Sequence, residues 1–178
     1  MKKISLNIVL LFISILALQG QDTKLFFFGL QPDITREIKD NEENTFSINF
    51  LPLVAQVYLN EAFTIRITSI VNRENSSKKI SNVGAQLAVP IYFLHKHSQK
   101  AAGVYTALVL GLSHNQLSTG NEFTIAVEPG YSWVLEKGFS MNLGLQLGGS
   151  YFTPTAEAEG WRNHAGLKFS LGYTLRSK

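Results

Sequence analysis

Residues 138–151 read GFSMNLGLQLGGSY, and the alternation in this run decides the fold. Phe139, Met141, Leu143, Leu145 and Leu147 fall on one parity, and Ser140, Asn142, Gly144, Gln146 and Gly148 fall on the other. Successive side chains of a strand point to opposite faces, so a period of two means a strand with one large apolar face and one small or polar face. The run is also long. A globular strand has about five or six residues, whereas a tilted strand crossing a bilayer needs roughly 9 to 11. Length and alternation together point to a barrel wall with lipid on one side and a polar lumen on the other.

The pattern recurs on both sides of this run. Ile80 to Leu94 sets Val83, Ala85, Leu87, Val89, Ile91 and Phe93 against Asn82, Gly84, Gln86 and Ala88, and Asn163 to Leu175 sets Leu167, Phe169, Leu171, Tyr173 and Leu175 against His164, Gly166, Lys168, Ser170, Gly172 and Thr174. Ala62 to Val71 puts Phe63, Ile65, Ile67 and Ser69 opposite Thr64, Arg66 and Thr68. Ala102 to Ser113, Glu122 to Leu135 and Asn44 to Tyr58 follow the same template, and Lys24 to Leu30 supplies a shorter, less regular eighth segment. The expectation is an all-β chain, an eight-stranded antiparallel up-and-down transmembrane β-barrel. The seven connections, starting with Gln31 to Glu43, hold 13, 3, 8, 7, 8, 2 and 11 residues in order. Such barrels alternate long outer loops with short inner turns, so the amino terminus is expected on the inner side.

Pro52, Pro90 and Pro129 stand against this reading, because a proline removes a ladder donor. All three are read as bulges. At Pro52 the phase supports that: Phe46, Ile48 and Phe50 share one parity before it, and Ala55, Val57 and Leu59 share the other after it.

The first twenty residues carry Lys2, Lys3 and an apolar stretch from Ile8 to Leu18, followed by Gln19 and Gly20. This is the order of a secretory signal peptide, and the stretch is short for a spanning helix. Residues 1–20 are expected to be removed, leaving 21–178 as one barrel domain. Cleavage would take Lys+Arg from 16 to 14 against 13 Asp+Glu, so the net charge would fall from +3 to +1. That balance gives no basic face for nucleic acid. The absence of cysteine excludes disulfides and thiolate metal sites.

With the large apolar face turned to lipid, Arg66, Gln86, Glu128, Asn142, Gln146, His164 and Lys168 face inward. An eight-stranded barrel leaves just enough room for side chains to fill it, so these residues are expected to form a packed polar network with Glu128 between Arg66 and Lys168. A narrow polar conduit is the competing reading. Aromatic residues gather near strand ends: Tyr58, Phe63, Phe93, Tyr105, Trp133, Phe139 and Tyr173 by the inner turns, and Phe46, Phe123, Tyr151 and Trp161 by the outer loops. Two interfacial girdles are expected from them. Asp33, Glu37, Asp40, Glu42 and Glu43, against Arg36 and Lys39, make the first outer loop an acidic patch, read as a wet loop in preference to a cation site, and His95 and His97 sit on a basic inner turn, too few to hold a structural zinc. No catalytic, cofactor or metal residue is assigned. Ser113, His114 and Glu128 have the residue types of a hydrolase, but adjacent residues on a strand face opposite ways.

The segments Pro90-Ile91-Tyr92-Phe93, Glu128-Pro129-Gly130-Tyr131, Leu143 to Gly149 and Gly166 to Tyr173 resemble the small outer-membrane β-barrel families of the OmpA transmembrane domain, OmpX and OmpW, and barrel proteins of similar length from Bacteroidetes-type bacteria. The resemblance implies an outer-membrane location, contact with outer-membrane lipid, and handling by the barrel-assembly machinery. It implies no cofactor. His164, Gly166, Phe169 and Leu171 match the pattern of the closing strand that the machinery reads, although the chain ends in Leu175-Arg176-Ser177-Lys178 and not on an aromatic. The small lipid A deacylase barrels carry His-x-Ser-Asn; here His114 is followed by Asn115, Gln116 and Leu117.

Four functional readings follow. The first is a structural or interaction barrel whose outer loops contact lipopolysaccharide or envelope proteins. The second is a carrier or narrow channel for a small apolar ligand. A soluble periplasmic barrel of lipocalin type and a lipid-modifying enzyme come after these.

Overall fold

The structure is a computed structural model that describes residues 25–38, 45–60, 62–74, 79–93, 102–117, 119–135, 138–153 and 160–176. The leader expected at residues 1–20 and the inner turn with His95 and His97 lie outside the described residues. Ten strands are present among the described residues: β1 (Leu25–Leu30), β2 (Asp33–Ile38), β3 (Thr45–Asn49), β4 (Leu53–Tyr58), β5 (Thr64–Glu74), β6 (Ile80–Tyr92), β7 (Gly103–Asn115), β8 (Gly120–Val134), β9 (Phe139–Thr153) and β10 (Gly160–Arg176). They make eight staves. β1 and β2 pair with β10 in one continuous register, from Leu25 opposite Arg176 to Ile38 opposite Asn163, so they are one strand interrupted at Pro32. β3 and β4 form the second stave, since both pair with β5 on one side and with the first stave on the other.

The sheet closes on itself through antiparallel neighbours. A path of register partners from Phe27 runs through Gln56, Arg66, Ala88, Val109, Ala126, Gly148 and His164, and re-enters the first stave at Glu37, ten residues beyond its start. That stagger over eight staves requires strands tilted by about 40° to the barrel axis.

The wall has the orientation that the alternation implies. Leu145 and Leu147 are 45% and 51% exposed on the outside, while Gln146 between them is fully buried. Leu108, Leu112, Val127 and Leu167 continue the exposed apolar surface around the barrel. A surface of this kind is stable against lipid and not against water. The lipocalin reading, which needs the large apolar face inward, is therefore contradicted.

Three features differ from the sequence expectation. Residues 33–38 were expected in the first outer loop but extend the first stave, because Asp33 and Thr35 keep the inward parity of Phe27 and Gln31 across Pro32. Pro90 and Pro129 are not bulges. Register partners run unbroken from Asn82 to Tyr92 along β6 and β7, and Pro129 sits opposite Thr106 in the same register as its neighbours. The missing donors only open short gaps on the other sides, where β8 and β9 resume at Gly130 opposite Gly144 with no shift. A bulge not expected from the sequence lies at Ser81, where the β5–β6 register slips between Asn72 and Arg73 and Ile80 and Val83 both face outward. Ser81 and Asn82 are in consequence both buried.

At Pro52 the bulge expected from the phase is present, and its backbone is satisfied from both faces. The Asn49 side chain accepts from Leu51 N at 3.3 Å and Val71 N at 3.1 Å, and the Ser69 hydroxyl accepts from Leu53 N at 3.0 Å and donates to Leu51 O. Ser69 thus occupies an outward position because it supplies the bonds that the interrupted ladder lacks. The inner turn after β4 is set by Asn60, whose Oδ1 accepts from Ala62 N and Phe63 N, each at 2.8 Å. The turn into β9 depends on Gly138, which has φ +87°, and a Cβ there would sit 2.8 Å from Thr174 O.

Leu145→Cys and Leu171→Cys are expected to stay unmodified by a water-soluble maleimide in reconstituted vesicles, while Asn60→Cys in the exposed turn reacts. Equal labelling rates at all three sites would reverse the assignment of the two faces. Leu145→Arg, which puts a charge on the lipid face, should lower stability by about 2–4 kcal/mol in chemical unfolding from lipid vesicles.

Candidate functional site in the barrel interior

Inward parity collects one side chain from each stave at successive levels of the lumen, and the polar groups meet across it. Arg66 on β5 and Glu128 on β8 are three staves apart, yet the Arg66 Nη2 to Glu128 Oε1 distance is 2.5 Å. Both residues are buried. The same Oε1 accepts from the Tyr105 hydroxyl at 2.8 Å, and Oε2 accepts from Gln146 Nε2 at 2.7 Å. Gln146 and Gln86 also exchange bonds across the lumen at 3.0 and 3.2 Å, and His164 Nε2 lies 3.3 Å from Gln146 Oε1. The carboxylate thus has a guanidinium, a phenol and an amide around it, which is what a buried charge needs.

Tyr105 is seated by glycines. A Cβ at Gly130 would lie 2.4 Å from the Tyr105 ring, and one at Gly144 would lie 2.7 Å from Glu128 Oε1 and 2.8 Å from the Tyr105 hydroxyl. These small inward positions on β8 and β9 are the space that the network occupies. Towards the inner turns the lumen becomes aromatic: Phe27, Tyr58, Tyr92 and Tyr105 cluster there, with Tyr92 and Tyr105 rings 5.5 Å apart.

Two further polar groups lie towards the outer loops. Lys168 Nζ pairs with Asp33 Oδ2 at 2.9 Å, and Asn49 and Thr35 donate to the same carboxylate, each at 3.4 Å. Across the lumen Glu122 accepts from Asn82, Ser113 and Thr124, and Thr124 in turn meets Ser150 at 2.8 Å.

No family model and no curated protein matches the sequence. Among solved structures, the chain is similar to the outer membrane protein AlkL determined by solid-state NMR in DMPC lipid bilayers, with 12% identity over 90% of this chain and 92% of that one and a TM-score of 0.53. It is also similar to Ail, the attachment invasion locus protein of Yersinia pestis, with 10% identity over 87% of this chain and 100% of that one and a TM-score of 0.50. The fold is that of a small outer-membrane β-barrel.

Of the seven interior residues expected in the barrel, the structure places all seven inside and joins five of them, Arg66, Gln86, Glu128, Gln146 and His164, in one network. Lys168 does not reach Glu128. Asp33, expected in a wet loop, takes its place as partner because the first stave continues past Pro32. Asn142 pairs separately, donating to Ser170 Oγ at 2.7 Å.

The aromatic girdles also need correction. Phe63, Phe93, Trp133 and Tyr173 are exposed on the inner-turn side, and Phe46 and Trp161 on the outer-loop side. Tyr151 packs against Trp161 at 5.4 Å. Tyr58 and Tyr105 point into the lumen instead. Their parity was the missed signal: Tyr105 alternates in step with Gly103 and Ala107, and Tyr58 falls between the outward Val57 and Leu59. Ser113 and His114 are both still on β7, with Ser113 directed to Glu122 inside and the His114 Nδ1 3.1 Å from Asn121 Oδ1 on the exposed surface.

Arg66→Ala leaves a buried carboxylate without its counter-charge, and a loss of about 3–5 kcal/mol is expected in unfolding from vesicles. Arg66→Met combined with Glu128→Gln should recover most of that loss. A double variant no more stable than Arg66→Ala would remove the pair from its central position.

Proposed function

We propose that this outer-membrane barrel acts through what its outer loops contact, with a packed interior that conducts neither ions nor solutes. The observation that carries the reading is the Arg66–Glu128 pair spanning the lumen, backed by Gln86, Gln146 and Tyr105 and closed towards the inner side by Phe27, Tyr58 and Tyr92. A conduit would need these groups to part, and each would then lose a hydrogen-bonding partner at low dielectric. Loops are the remaining surface that meets something other than lipid or the lumen, and function in barrels concentrates there. The partners proposed are envelope proteins or lipopolysaccharide on the outer side and the barrel-assembly machinery during biogenesis. The name of Ail, an attachment protein on the same fold, accords with a contact role. A non-enzymatic role is part of the proposal, supported by Ser113 and His114 lying on opposite faces.

One observation favours a second reading, a carrier for a small apolar ligand. Pro32 and the bulge at Pro52 interrupt neighbouring staves side by side, where Gln31 N to Pro52 O, at 2.6 Å, is a backbone bond between them and Asn49 Nδ2 to Asp33 Oδ2, at 3.4 Å, a side-chain bond on the lumen side. A wall thinned at that seam is where an apolar molecule would pass between lumen and lipid.

In planar bilayers the folded protein should give no sustained open current, whereas Arg66→Ala with Glu128→Ala should give discrete steps. Sustained wild-type currents would refute the packed interior. Saturable binding of a fluorescent alkyl-chain probe, competed by unlabelled alkane, would move the assignment to the carrier.

A further inference from the structure

The outward side chains at the outer end of the barrel differ from one side to the other. On the first three staves, Arg36 of β2 and Arg73 of β5 are exposed on the lipid-facing parity, with Phe46 of β3 between them. At the corresponding level of the later staves the outward positions are His114, Asn121, Phe123, Tyr151 and Trp161, with no Lys, Arg, Asp or Glu. Among the described side chains, Arg36 and Arg73 are the only charged groups on the outward face of the strands.

The register brings the two arginines together. Arg36 stands opposite Phe46, and Arg73 stands opposite Ile48, two residues further along the same stave. Strand tilt offsets that stagger, so both positions sit at about the same height, that of the outer aromatic girdle. Strand spacings put their Cα atoms roughly 11 Å apart, within reach of one phosphorylated headgroup for two extended guanidinium side chains. The Arg36 guanidinium carbon lies 5.6 Å from the Phe46 ring centre, and this stacking holds the group against the barrel wall.

We propose that this rim binds phosphate on the headgroup of an outer-leaflet lipid, with Arg36 and Arg73 as the phosphate ligands and Phe46 as the contact on the acyl side. An outward side chain at girdle height faces headgroups, and the anion present there is lipid phosphate. Guanidinium is the side chain suited to it, since its planar fork of donors matches phosphate oxygens two at a time. The site lies on the wall and not on the loops, so it stands whether or not loop contacts are the barrel's main role.

The test uses the full-length protein folded in mixed micelles, with bound lipid counted by native mass spectrometry. The probes are phosphorylated lipid A and dephosphorylated lipid A of the same acyl composition. A preference of roughly twentyfold for the phosphorylated form is expected from two arginines at a membrane surface. Arg36→Gln with Arg73→Gln should bring it to near parity, Arg36→Lys with Arg73→Lys should keep only part of it, since an ammonium retains the charge without the planar fork, and His114→Gln on the far rim should leave it unchanged. Heat-modifiable migration shows that each variant is folded; should the double glutamine variant not fold, each single variant is expected to reduce the preference to a few-fold. The proposal is overturned if the wild type shows no preference, or if the preference survives in the double glutamine variant.

Discussion

A backbone amide inside hydrocarbon has no water to bond, and the rest of this structure follows from that requirement. An open sheet would leave two bare edges, so the chain must close, and it does so where β10 meets β1 and β2. The stagger of ten residues around eight staves then sets tilt and diameter together. Exceptions to the ladder have to be repaired locally. At the Pro52 bulge the repair comes from Asn49 inside and Ser69 outside, which explains a serine among the apolar outward residues of β5 from Ile65 to Val71.

The same closure fixes what the interior can hold. With eight staves, side chains from opposite walls touch, so any charge on one wall must be matched from another. Arg66 finds Glu128 three staves away, and Lys168 finds Asp33 on the neighbouring stave. Gly130 and Gly144 are as much a part of this arrangement as the charges, because the space beside them is filled by Tyr105 and the Glu128 carboxylate. The interior thereby acts as a strut across the barrel, leaving the rims, where polar and charged groups meet headgroups or the outside, as the surfaces free to differ in chemistry around the circumference.

Most of the wall was legible in the sequence because lipid and lumen impose opposite chemistry at period two. The run from Phe139 to Tyr151 states its own orientation, and the change of parity around Pro52 states a bulge. Where a residue type is tolerated on both faces, the reading failed. Tyrosine suits both a girdle and a packed lumen, so Tyr58 and Tyr105 were placed by type when their parity already pointed inward. Asp33 looked like part of an acidic loop because Pro32 resembles a stop signal, although the alternation of Phe27, Gln31, Asp33 and Thr35 passes through it.

By itself, then, the sequence determined most of the strands, the side that most wall residues face and the eight-stave count, since these depend on neighbours two residues apart. Only the tertiary structure decided which inward charges meet. Partner choice depends on the stagger between staves, a sum of registers set by turns, prolines and bulges around the whole circumference. The stagger of ten residues around the eight staves, which no single run of alternation shows, is what brings Glu128 to Arg66 across the lumen and sets Lys168 beside Asp33.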